Sequence, residues 1–158
     1  MPGTLIILGS GNKDTESFKE TELSGDVMIA GDALAHCDHD IAAFAMWCVD
    51  GKMFQKAMDM RKEKGLNTDF EKFSFYMNKG FTHLPLPLYG AGDVMYAIQV
   101  GIHMEYEKIV LVDCPLDDYE PYQAGFKQAY ESLKDKVRSM SGFTKDLFGE
   151  PTDEWLNA

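Results

Sequence analysis

The chain has 158 residues, of which 45% are hydrophobic and 12% aromatic, and its formal net charge is −11. This length suits one domain with a sizeable core, and the composition excludes a disordered chain. The acidic balance repels phosphate backbones and anionic lipids, so we expect no direct nucleic-acid partner and no membrane binding.

Short apolar runs predict the first strands of a parallel sheet. The runs are Thr4 to Leu8, Asp26 to Ala30 and Ile41 to Val49. The first leads into a glycine turn, and the second into Gly31 and Asp32. The polar stretch from Lys13 to Leu23 predicts a loop and a short helix between the first two strands.

Helical and extended patterns follow in the second half of the chain. From Lys52 the apolar residues recur at helical spacing until Gly65, which predicts an amphipathic helix with a glycine stop. The stripe of that helix comprises Met53, Phe54, Ala57, Met58 and Arg61. A strand over Phe73 to Met77 and an extended Leu84 to Leu88 run are predicted next. A helix follows Asp93, and its apolar stripe comprises Val94, Ile98, Gly101 and Ile102. The last predicted elements are a central strand over Ile109 to Val112 and a helix from Tyr122 to Lys136.

Strands that alternate with helices predict a three-layer Rossmann-like α/β fold, with a mostly parallel sheet and helices on both faces. We place this domain over residues 1–137. Residues 138–158 mix small polar residues with isolated aromatic ones, and we interpret them as a tail that packs on the domain or on a neighbouring subunit of a homo-oligomer.

The N-terminus shows no secretion signal, and the three cysteines have no CxxC spacing. We therefore expect a cytoplasmic protein whose Cys37, Cys48 and Cys114 are reduced and mainly buried.

Two glycine turns are candidate ligand sites, because open parallel sheets bind ligands beyond the carboxyl ends of their strands. The first comprises Gly9, Ser10, Gly11 and Asn12, and its amides are placed to approach an anion. A plain tight turn is the alternative, since Asp14 breaks the full GxGxxG fingerprint. The second comprises Gly90, Ala91, Gly92 and Asp93, where either the turn cradles a phosphate or sugar hydroxyl, or Asp93 only caps the helix.

Three carboxylates that follow strands are candidate catalytic groups: Asp32, Asp113 and Asp117. Such groups hold a ribose, a reacting hydroxyl or a metal ion such as Mg²⁺, although solvated loop carboxylates are equally common. The segment from His36 to Asp40 is rich in metal-ligand residues but matches no known metal spacing, so we favour a polar loop and no metal there.

Several of these segments together resemble the Rossmann-like motility-accessory-factor proteins (the DUF115 family), which are related to bacterial sialyltransferases. The resembling segments are Gly90-Ala91-Gly92, Ala97 to Gly101, Ile109 to Val112 and Cys114-Pro115-Leu116-Asp117. The Gly9-Ser10-Gly11 turn is similar to the family's nucleotide-contacting turn. Asp32 is similar to the acidic residue that follows the family's second strand. Small phage and prophage proteins of this type are more similar still, with an ending like Arg138 to Leu156.

The resemblance implies a nucleotide or nucleotide-sugar ligand, and a glycosyl- or phosphoryl-transferase activity. Three positions depart from the family pattern: Ala91 stands where relatives have Ser, Cys48-Val49-Asp50 stands where they have His-Pro-Glu, and Asp113 stands where they have Gly. Because these changes remove a hydroxyl and an imidazole, the alternative is a non-catalytic phage protein that sequesters a small nucleotide or serves as an assembly component. The tail aromatics also favour that alternative.

Overall fold

The computed structural model describes residues 3–11 and 23–158, which form one seven-stranded sheet in the order β5-β4-β3-β2-β1-β6-β7. Every neighbouring pair is parallel. The strands are β1 (Thr4–Leu8), β2 (Asp26–Ala30), β3 (Ala43–Met46), β4 (Glu71–Ser74), β5 (Thr82–His83), β6 (Lys108–Val112) and β7 (Val137–Ser139). The predicted parallel sheet is confirmed.

The neighbouring strands β1 and β6 are apolar after their first residue because helices cover both of their faces. β1 lies between β2 and β6, so that Ile6 is in register with Val27 on one side and Val110 on the other. The side chains of Leu5 and Ile7 enter one core, and those of Ile6 and Leu8 enter the core on the opposite face.

The helices form the outer two layers and confirm the three-layer Rossmann-like fold. They are a 3₁₀ helix (Gly31–His36), α1 (Gly51–Glu63), α2 (Gly92–His103), α3 (Glu120–Leu133), α4 (Gly142–Phe148) and α5 (Asp153–Leu156). α2, α3 and α4 cover the core of Leu5 and Ile7, whereas the 3₁₀ helix, α1 and α5 cover the core of Ile6 and Leu8.

Local signals explain where α1 begins and ends. The carboxylate of Asp50 accepts hydrogen bonds from the amides of Lys52 and Met53, which caps the first turn. Gly65, with φ of +72°, follows the last turn in the left-handed region that favours glycine. α2 differs from its predicted single stripe, because it is buried nearly all round, including Tyr96 and Ala97.

Two predicted strands have different bounds in the structure. The third strand is shorter than Ile41 to Val49, and the fourth begins at Glu71 and ends before Phe75. The Leu84 to Leu88 run follows β5; its Leu84 amide donates to the Ser74 carbonyl of β4 at 2.9 Å, and its Leu84 carbonyl accepts the Tyr96 hydroxyl of α2. The predicted helix between Lys13 and Leu23 lies largely outside the described residues.

The tail packs on its own chain. The proposed boundary at residue 137 falls inside β7, which pairs with β6 and completes the sheet. Phe148 enters the core beneath α3, and Arg138 stacks over the Trp155 ring at 4.8 Å. Among the described residues, no helix has both the length and the apolar character needed to cross a membrane.

Candidate functional site

The strand order reverses between β1 and β6, and this point opens a crevice at the carboxyl edge of the sheet. Three neighbouring cavities lie along that edge. The first, of about 300 Å³, lies between Ser10 and the loop after β6; the second, of about 230 Å³, lies between Asp32 and Asp93; the third, of about 240 Å³, lies beside Trp47. Tyr122, in the first turn of α3, lines all three. The two glycine turns therefore face one edge of the sheet.

The first glycine turn uses its amides within the protein. The N–H of Gly9 donates to the Val112 carbonyl at 2.9 Å, and the N–H of Gly11 donates to the Asp113 carbonyl at 2.8 Å. A Cβ at Gly9 or Gly11 would lie 2.6–2.7 Å from the Asp113 carbonyl oxygen. These glycines are thus required for close packing against β6, and their two amides are not available to an anion. Ser10 lines the first and second cavities, and Asn12 lies outside the described residues.

Asp93 is a polar group of the edge that is held in place by two elements. Its carboxylate accepts a hydrogen bond from the Trp47 amide at 2.9 Å, which joins α2 to the end of β3. Gly31 makes room for it, since a Cβ there would lie 2.7 Å from the Asp93 Cγ. Burial raises the pKa of Asp93 to about 6, and the neighbouring Asp32 carboxylate adds to this rise. Capping of the helix, one of the two roles considered for Asp93, is wrong, because residue 91 is the N-cap and the Asp93 carboxylate bonds to the amide of Trp47, directly after β3.

Asp32 lies in the 3₁₀ helix directly after β2 and is exposed to solvent. It lines the second cavity together with Asp93. Two carboxylates from different elements thus share one wall of the cavity, one of them accessible and the other largely buried.

Asp113 and Asp117 follow β6 and line the first cavity. Asp113 is buried, with φ of +58°. Asp117 is exposed, and its carboxylate accepts a hydrogen bond from the Phe143 amide at 2.7 Å, so that it holds the start of α4. Neither side chain lines the second cavity, where Asp32 lies. The three predicted catalytic carboxylates therefore occupy two neighbouring cavities.

Backbone strain is concentrated at this edge. Three non-glycine residues near the cavities, Tyr89, Asp113 and Leu116, have φ between 52° and 58°. Left-handed conformations of this kind cost about 1–3 kcal/mol for a non-glycine residue and cluster at functional sites. Hydrogen bonds from the Gln123 side-chain amide to the carbonyls of Leu116 and Asp117 hold the strained loop in place.

The second glycine turn forms a wall of the third cavity, which we call the aromatic cavity. Its lining consists of Trp47, Leu88, Gly90, Gly92 and Tyr122. A Cβ on Gly92 would lie 2.7 Å from the Tyr122 ring, so glycine lets the ring approach the turn. Neither aromatic residue was among the predicted site residues. Trp47 directly follows β3 in the structure, whereas the predicted strand extends to Val49 and places Trp47 inside it.

The charged side chains that line the three cavities, within the described part of the chain, are all carboxylates. Within the same residues, no three carboxylate, imidazole or thiol groups converge closely enough to hold a metal ion.

The segment from His36 to Asp40 lies away from this edge and is held by a buried arginine. The Arg61 guanidinium, which is fully buried, donates to the His39 carbonyl at 2.8 Å and to the Asn67 side-chain oxygen at 2.7 Å. A larger, mostly apolar cavity of about 480 Å³ lies nearby between the 3₁₀ helix and α1. Cys37 and Cys114 are buried, but Cys48 is exposed, contrary to the expectation for that thiol.

Comparison with protein-family models, curated proteins and solved structures gives no match for this chain. The resemblance to the motility-accessory-factor proteins thus stays a prediction, and the function must be argued from the geometry of the edge.

Proposed function

We propose that this chain binds a small molecule of the nucleotide or nucleotide-sugar class at the carboxyl edge of its sheet. The observation that carries the proposal is the Asp93 carboxyl, held beside Asp32 on the wall of the second cavity. A largely buried carboxyl with a raised pKa lowers stability at neutral pH, and such groups concentrate at functional sites.

Paired carboxylates at strand ends suit a ligand that carries neighbouring hydroxyl groups. An ionised carboxylate is an acceptor only, and the hydroxyls of a ribose are donors that match it. An acidic residue after the second strand is also the usual ribose partner in Rossmann-like sites. Asp32 has that place in this chain.

Among the described residues that line the three cavities there is no cationic side chain, so a bound phosphate would have no positively charged partner there. Because carboxylates repel phosphates, we expect the sugar and base of the ligand to supply most of the affinity. We also expect the phosphates to extend toward solvent.

Group transfer is a second candidate function, favoured by the pKa of about 6 at Asp93. A carboxylate with this pKa is matched to proton transfer near neutral pH. In such a reaction, Asp93 would accept the proton of an acceptor hydroxyl while that oxygen attacks the donor sugar and the nucleotide leaves. A non-catalytic binder would bind the same ligands without turning them over.

Calorimetry with nucleosides, nucleotides, CMP-sugars and UDP-sugars, with and without Mg²⁺, tests the proposal. We expect heat from at least one ligand, and we expect Asp32→Asn to weaken its binding at least fivefold. Asp69→Asn is the matched control, because this exposed carboxyl lies before β4 at the opposite edge of the sheet. An absence of heat from every ligand would refute the proposal. Turnover of a sugar nucleotide that is lost in Asp93→Asn would favour the transferase over the non-catalytic binder, and native mass measurement would test the predicted oligomer.

A further inference from the structure

We propose that the aromatic cavity holds the planar heteroaromatic base of a nucleoside, while the Asp32 and Asp93 cavity beside it holds the sugar. This inference rests on the proposed function and specifies which part of the ligand each cavity receives.

The lining of the aromatic cavity favours a flat ring. Trp47 and Tyr122 provide aromatic surface, and Leu88 adds apolar surface. Gly90 and Gly92 supply no side chain, so this part of the wall stays close to the backbone. With about 240 Å³, the cavity is smaller than the roughly 300–1,000 Å³ of a complete small-molecule site and suits one part of a ligand.

Tyr122 lies between the aromatic cavity and the cavity that contains the two carboxylates. Its side chain lines both cavities, and the backbone of Ala91 and Gly92 runs between them. Burial raises the pKa of Tyr122, and the Asp93 carboxylate raises it further. The phenol therefore keeps its proton at neutral pH and offers a hydrogen-bond donor where a sugar and its base would meet.

The aromatic cavity and the second cavity differ in the charge of their lining, and this difference indicates which end of the ligand each cavity holds. The described lining of the aromatic cavity contains no ionisable group that is charged at neutral pH, whereas the adjoining cavity contains Asp32 and Asp93. A neutral stacking ring fits the first environment, and a hydroxyl donor fits the second. Stacking of a base on an aromatic side chain contributes about 1–3 kcal/mol, which corresponds to roughly 5- to 150-fold in affinity.

Trp47 reports on its own cavity by fluorescence. The chain has two tryptophans, and Trp155 lies in α5, on the face opposite α2. Trp155→Phe therefore leaves Trp47 as the only tryptophan, whose emission is followed under excitation that is selective for tryptophan. We would titrate this variant with adenosine, guanosine, cytidine and uridine, and with ribose as the probe that lacks a base. We expect saturable quenching by at least one nucleoside and none by ribose.

Calorimetry on ring variants then measures the contribution of stacking. Tyr122→Leu and Trp47→Leu should each weaken nucleoside binding by at least fivefold, and Tyr122→Phe should retain most of it. Tyr130→Leu is the matched control, because this tyrosine also lies in α3 but stacks on Phe148 and lines none of the three cavities. Thermal unfolding identifies a variant that has not folded, in which case the other ring variant decides.

The outcomes separate this inference from the proposed function. If nucleosides bind and Asp32→Asn weakens them, but the Trp47 emission and the ring variants show no effect, the base subsite is refuted and the proposed function stands. If calorimetry detects no nucleoside, nucleotide, sugar nucleotide or ribose, both are refuted. Quenching together with weaker binding in the ring variants supports both.

Discussion

Replacing Asp93 by Asn tests whether the pKa of the Asp93 carboxyl is raised in the folded protein and whether its ionisation lowers stability. Asn keeps an oxygen that accepts the Trp47 amide, but it cannot ionise. The pKa of Asp93 rises from 3.8 in the unfolded chain to about 6 in the folded protein. Since one pKa unit corresponds to about 1.4 kcal/mol, ionising the folded carboxyl costs about 3 kcal/mol. For a domain with a total stability of about 5–15 kcal/mol, this cost is large.

The sign of the effect follows from proton linkage. Because the folded state keeps its proton up to a higher pH, this carboxyl favours folding fully below pH 3.8, and its contribution is lost as the pH rises through about 6. We expect the stability of Asp93→Asn relative to the wild type to increase by roughly 2–2.5 kcal/mol between pH 4 and pH 7.5, because part of the effect is already present at pH 4. Urea unfolding of both proteins across this range measures the difference, with Asp69→Asn as the control. A difference that stays constant with pH would refute the raised pKa.

Three further substitutions test the packing around the site and beneath it. Arg61→Met should cost about 3 kcal/mol or more in urea unfolding, because buried oxygens lose charged donors, whereas the exposed Lys62→Met should change stability by less than about 0.5 kcal/mol. Gly31→Ala should cost about 2 kcal/mol or more, because its φ is +58° and its Cβ would strike the Asp93 carboxyl; an unchanged unfolding midpoint would contradict this. Tyr106→Phe should cost about 1 kcal/mol through loss of its 2.7 Å hydrogen bond to β2, and equal stability at pH 7 would contradict it.

The core of the fold was predictable because its signals are local. Residues 4–8 and 26–30 are apolar after their first residue and are each followed by a glycine, and these strands form where expected. Asp50 and Gly65 flank α1 as a cap and a stop. Periodicity was less informative for α2, because a helix buried on most sides shows no single stripe.

The outer strands of the sheet were harder to predict, because where they begin and end depends on tertiary contacts. β7 is short and includes Arg138, so its composition resembles a loop, and it becomes a strand by pairing with β6. The Leu84 to Leu88 run has an extended sequence pattern. Its Leu84 amide bonds to Ser74 of β4, but its Leu84 carbonyl accepts the hydroxyl of Tyr96 in α2, a contact that the sequence does not reveal.

The position of the candidate site followed from topology, but its chemistry did not. Parallel strands bring Gly9, Asp32, Asp93 and Asp113 to one edge, as expected from the strand-end rule. The sequence does not reveal that the Gly9 amide bonds to β6, or that Tyr122 joins the three cavities. These facts depend on contacts between residues far apart in the chain.

The most direct test of the account is an amide-resolved NMR titration with the nucleoside that gives the strongest calorimetric signal. We predict saturable shifts at the amides of four residues that line the second cavity or the aromatic cavity, namely Asp32, Trp47, Asp93 and Tyr122. Shifts confined to the apolar cavity between the 3₁₀ helix and α1, or none at saturating nucleoside, would contradict it.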